Sequence, residues 1–166
     1  MTRRLALGPL FLLLCACGLH PLYGGGSSGQ VAGLLRNVQV AGIPGQQGWL
    51  VRTKLVDRLG ETGTGTAQYR LDVALDDNIT SYGLRADRAA TQERRSLRAR
   101  YQLVDLAKGT VLLDETAGSD ASVDVVSSEY ATVAAEQTAL ENLSGIVADQ
   151  IVARLAVYAA RTTHRK

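Results

Sequence analysis

The chain is poor in the residues that do chemistry, with 2 His and 2 Cys in 166 residues. Both cysteines, Cys15 and Cys17, lie near the start. Nothing downstream can form a disulfide framework or a cysteine-based metal site. The histidines, His20 and His164, sit near the two ends; His20 lies beside the Cys17 expected below to carry lipid, and neither histidine has a likely cysteine or serine partner for catalysis. No metal and no catalytic constellation is expected. Asp76-Asp77 reads either as paired carboxylates or, more simply, as a solvated strand end. An enzyme is therefore not expected. The chain also lacks a strong net charge, standing at +2. Two of its 18 Lys and Arg, Arg3 and Arg4, fall in the leader described below, leaving 16 against 16 Asp and Glu. Bulk attraction to nucleic acid has no support in such a balance.

What is present begins with an export signal. Arg3-Arg4 is followed by a nearly continuous apolar run, Leu5 to Leu14, too short to span a bilayer. Leu14-Cys15-Ala16-Cys17-Gly18 follows and resembles the bacterial lipobox. Cys17 fits it because small Ala16 precedes; Cys15 fits poorly because bulky Leu14 would fill the small-residue slot. A thiol there can carry thioether-linked diacylglycerol, and an acyl chain on the new amino terminus adds to it; two or more chains anchor stably. The alternative is an ordinary secretory signal with incidental cysteines. Gly18, rather than an Asp retention signal, follows the cysteine and directs the expectation to the periplasmic side of the outer membrane.

The chain then divides into residues 1–16 as signal peptide, 17–33 as lipidated start and flexible tether around Gly24-Gly25-Gly26-Ser27-Ser28-Gly29, and 34–166 as one α/β domain. A domain of this size buries a core without disulfides. Val38-Gln39-Val40 alternates as a short strand. Val51, Leu55 and Leu59 mark a helix over Trp49–Leu59. Tyr69, Leu71, Val73 and Leu75 form the apolar face of a half-buried strand ending near Asp76. Leu97, Ala99, Tyr101 and Leu103 form that of the next, and Val111 to about Ala117 reads as a third strand, which Val123 and Val125 can extend. Tyr130, Val133, Leu140, Val147, Ile151, Leu155 and Tyr158 predict one helix over about Ser128–Arg161, with Gln137 and Ser144 as polar interruptions. The order β-α-β-β-β-α, with one apolar face per strand, predicts an α+β two-layer sandwich. Its four-stranded, mostly antiparallel sheet carries two helices on one face and leaves the other face polar.

Charge is segregated. Arg85, Arg88, Arg94, Arg95, Arg98 and Arg100 crowd residues 85–100 against Asp87 and Glu93, whereas residues 114–149 carry acids and no Lys or Arg. The arginines suit an anion such as phosphate, because a guanidinium donates two hydrogen bonds at once. They equally suit cross-strand pairing: a hairpin centred near Ala86 puts Arg100 opposite Asp72 and Ser96 opposite Asp76. Both readings stand at this level for Arg98 and Arg100; Arg85, Arg88, Arg94 and Arg95, nearer the tip, are freer for a ligand.

These segments together resemble a known family. Cys17-Gly18-Leu19-His20-Pro21-Leu22-Tyr23-Gly24, Ile43-Pro44-Gly45, the basic strand Glu93-Arg94-Arg95-Ser96-Leu97-Arg98-Ala99-Arg100-Tyr101 and the long last helix are similar, in this order, to the lipopolysaccharide-assembly lipoprotein family LptE in its short alphaproteobacterial form. The resemblance implies a non-enzymatic lipoprotein with no cofactor beyond N-acyl diacylglycerol on Cys17. It implies a one-to-one partnership with an LptD-like outer-membrane β-barrel, which such proteins plug and help assemble. It also implies contact with lipopolysaccharide, whose lipid A phosphates need cations, and the six arginines above are the regional match. An auxiliary lipoprotein of an ABC-type lipid transporter is the alternative.

Overall fold

In a computed structural model, residues 30–60, 67–84 and 90–163 are described. Cys17, the tether as far as residue 29, Arg85, Arg88 and His164 lie outside them. The elements are α1 (Gln30–Arg36), β1 (Val38–Val40), α2 (Gly45–Leu59), β2 (Tyr69–Leu84), β3 (Ala90–Asp105), β4 (Thr110–Asp124) and α3 (Glu129–Thr163). One mixed sheet runs in the order β1-β2-β3-β4, with β1 parallel to β2 and the other pairs antiparallel. It is the expected α+β fold, with one helix more than the pattern predicts.

That helix is α1. Val31, Leu34 and Leu35 recur at helical spacing, and Leu35 is buried while the other two pack against the core. The tether expected to reach residue 33 therefore gives way to folded chain by Gln30. The glycine-rich stretch before it masks so short an apolar pattern.

Alternation fixes the sheet's two faces. Leu71, Leu97, Ala99, Tyr101 and Leu103 are fully buried toward the helices, while the even-numbered residues of β2 and β3 look outward. Burial pushes the Tyr101 hydroxyl up to about 12, assisted by nearby Glu115. On α3 the stripe Leu140, Leu143, Val147, Ile151 and Leu155 closes the core, with Ala148, Ala156 and Ala159 allowing close approach. Ser144 is buried within it and donates to the Leu140 carbonyl at 2.7 Å.

Two expectations need correction. The stripe's first members do not reach the core: Tyr130 is 86% and Val133 57% exposed, because α3 begins beyond the level that α2 covers. Periodicity marks a face, not where its partner layer ends. The β2–β3 register also differs. Arg100 faces Ala74 rather than Asp72, and Ser96 faces Asn78 rather than Asp76. A slip by two residues keeps every side chain on its face, so the apolar pattern cannot distinguish the registers; the length of the turn decides.

Candidate functional site

The open face of the sheet carries the charge. Arg70 grips Asp72 through Nε and Nη2 at 2.9–3.1 Å. Arg98 reaches both oxygens of Asp120 at 3.0 Å and donates to the Ser119 carbonyl at 3.1 Å. It can do so because Gly118 stands opposite it across the β3–β4 ladder. A Cβ on Gly118 would collide with the Arg98 side chain and press to 3.0 Å on the Leu97 carbonyl. Arg100 and Gln102 both donate to Asp114, at 2.8–3.1 Å. The Arg100 guanidinium, with the Gln102 amide, holds the Asp114 carboxyl down at about 2. What stability this network contributes is present above the ordinary carboxylate range and fades as the pH falls toward that value. Hydrogen bonds from Ser96 and then Arg98 likewise lower Asp120.

The four candidate arginines among the described residues therefore do not form one cluster. Arg98 and Arg100 lie on the open face, each matched by a β4 carboxylate. Arg94 shares that face, is exposed, and stacks over the Tyr82 ring at 5.6 Å. Arg95 faces the other way. It holds Asp77 through two hydrogen bonds, at 2.9 and 2.6 Å, and donates to the Glu136 carbonyl of α3 at 3.0 Å. Their side chains keep only 12% and 13% exposure. Asp76 and Asp77 thus point to opposite faces, and Asp77 is a buried partner rather than a solvated strand end.

Sequence reasoning missed the partners Asp114 and Asp120. Their signal was present: even-numbered acids in β4 share a face with even-numbered arginines in β3. A shallow depression of about 340 Å³ lies between Asp72, Ala74, Arg100 and Gln102, where small Ala74 leaves room; its charged groups are already matched within the sheet. No group of three His, Cys, Asp or Glu fit to hold a metal occurs among the described residues.

The fold has solved counterparts. A candidate lipoprotein from Caulobacter crescentus is 23% identical with a TM-score of 0.67, over 78% of this chain and 96% of that one. Rare lipoprotein B from Shewanella oneidensis is 11% identical with a TM-score of 0.60, over 76% and 98%. A minor lipoprotein from Acinetobacter baumannii is 15% identical with a TM-score of 0.59, over 74% and 92%. At these identities they are similar in fold alone. No curated protein sequence matches. A family model described as LptE, lipopolysaccharide-assembly, matches residues 35–155. That match runs from the end of α1 to the last turns of α3, through every strand, and by it the chain belongs to the LptE family of non-enzymatic lipopolysaccharide-assembly lipoproteins.

Proposed function

We propose that the protein is anchored by N-acyl diacylglycerol on Cys17 to the periplasmic side of the outer membrane. There it plugs an LptD-like β-barrel one to one, assists its assembly, and contacts lipopolysaccharide on its way to the outer leaflet. The observation that carries this reading is the open sheet face, whose Arg70–Asp72, Arg98–Asp120 and Arg100–Asp114 pairs leave it polar but internally neutralised. Such a face suits the polar lumen of a large membrane barrel and is ill suited to lipid. Photo-crosslinkers at Asn78, Thr80 and Thr116, open-face positions outside those ion pairs, should trap one large outer-membrane barrel. Crosslinks confined to inner-membrane transporter subunits would support the ABC-transporter alternative instead.

Anchoring has its own test. Cys17→Ser should abolish labelling by radioactive palmitate while residues 30–163 keep their fold, since every buried residue lies beyond Cys17. Continued labelling would remove the anchor from Cys17.

For lipopolysaccharide, the tip arginines are the proposed contact, and among the described residues the exposure of Arg94 on the open face supports that reading. A charge-assisted bond to phosphate contributes roughly 1.5–3 kcal/mol, less where salt screens it. Arg94→Glu should therefore weaken binding of purified lipopolysaccharide about tenfold. Arg161→Glu, in the last turn of α3, should change it little. The reverse order would place the contact at the other end of the molecule.

A further inference from the structure

The first turns of α3 present Tyr130 and Val133 to solvent, and the bond from Arg95 to the Glu136 carbonyl joins the helix to the sheet just beyond them. Beneath the helix, this bond pins Glu136 of α3 over β3, and there the Glu93 carboxyl acts on that of Glu136. One Glu93 oxygen, Oε1, accepts from Ser81 Oγ at 3.1 Å. The other, Oε2, is buried and has no donor. A buried acceptor without a donor is destabilising, so such atoms ask for an explanation.

The surroundings do not supply the donor. Arg95 spends Nε and Nη2 on Asp77 and Nη1 on the Glu136 backbone carbonyl. From β4, the residues opposite Glu93 and Arg95 are Val123 and Ala121, both uncharged. From α2, the neighbouring group is the Gln46 amide, which donates to Gln137 at 3.2 Å. Within α3, the residues one turn from Glu136 are Thr132, Val133, Ala139 and Leu140. The Arg95 guanidinium thus answers Asp77 and Glu136, and the orphan Glu93 oxygen is left wanting a donor.

We propose that Glu93 and Glu136 share one proton, forming an acid-tightened latch between the β2–β3 hairpin and the N-terminal third of α3. When Glu136 is protonated, its O–H donates to Glu93 Oε2 and both helix and strand are fastened. When it is ionised, two like charges meet in a half-buried space and the end of α3 loosens. Burial, and then the neighbouring Glu93 carboxyl, raise Glu136 above the ordinary glutamate value. A carboxyl raised in the folded state contributes stability that is present below its unfolded pKa and is lost as the pH rises through the folded one. This sign is opposite to that of Asp114 and Asp120, so the latch is read by difference between variants.

The test uses the full chain. Glutamine at either position supplies an amide N–H at every pH. The urea midpoint of Glu136→Gln should therefore lie above that of the parent protein at about pH 8 and coincide with it at about pH 4. Glu93→Gln should behave alike. A Glu136→Gln midpoint equal to or below the parent's at the higher pH would overturn the latch. If the variants fail to fold, carbon-13 carboxyl titration of the parent protein decides. A Glu136 step above the ordinary glutamate range is expected; an ordinary Glu136 step overturns it. Magnesium that raises the parent's midpoint at high pH, but not that of Glu136→Gln, would also overturn it, by showing a cation bridge in place of the proton.

Discussion

Arg95→Ala is expected to cost the fold about 3 kcal/mol, the low end of the range for breaking a buried pair, because roughly an eighth of each side chain stays exposed. The loss has three parts: the two-bonded grip on Asp77, the bond to the Glu136 carbonyl, and the positive charge that faces the Asp77 and Glu136 carboxyls. Asp77→Ala should cost less, because the stranded guanidinium still has the Glu136 carboxyl nearby. The joint change Arg95→Met with Asp77→Leu should recover part of the loss, since it strands neither member of that pair while Glu136 still loses its cation and its bond. Urea denaturation followed by circular dichroism reads all three. Equal losses for the two single changes would show that Arg95 serves Asp77 alone. A loss below about 1 kcal/mol for Arg95→Ala would show that water screens the pair as it does at a surface.

Gly48→Ala should destabilise by about 2 kcal/mol, although helix propensity alone favours alanine by about 1 kcal/mol. Gly48 is buried in the first turn of α2, where a Cβ would lie 2.5 Å from the Ile43 carbonyl oxygen and 2.7 Å from its carbon. Those are backbone atoms in the segment that leads from β1 into α2, and they cannot rotate away. The helix would have to lift, drawing Val51 and Leu55 from the core. Gly48→Ser should be similar and Gly48→Val worse. A variant that melts above the parent protein would mean that the Ile43–Pro44 segment yields easily.

How much was legible in the sequence depends on which physical pattern carries the information. The strands β1, β2, β3 and β4 and the helices α2 and α3 announce themselves by periods of two and of about three and a half. Their ends are less plain. β2 runs to Leu84, well past Asp76, because its polar half is held by cross-strand pairing with β3 rather than by its own burial. The candidate site was legible in composition but not in arrangement. Arg94 and Arg95 are adjacent in sequence and on opposite faces of the sheet: one stacks on Tyr82, and the other is committed to Asp77 beneath α3.

By itself the sequence determined the two-layer α+β class, the inward and outward faces of β2 and β3, the polar character of the open face and the resemblance to the LptE family. These follow from local periodicity, residue type and the order of short motifs, none of which needs a partner to be known. Only the tertiary structure decided which charges meet. Asp114 and Asp120 neutralise Arg100 and Arg98 because β4 lies beside β3 in one register, fixed by turn geometry and a bulge at Leu103–Val104. Glu93 and Glu136 meet because a helix some forty residues away in the chain is laid across the strand. Coulomb and hydrogen-bond energies depend on distances between elements, and a linear pattern fixes faces but leaves those distances open.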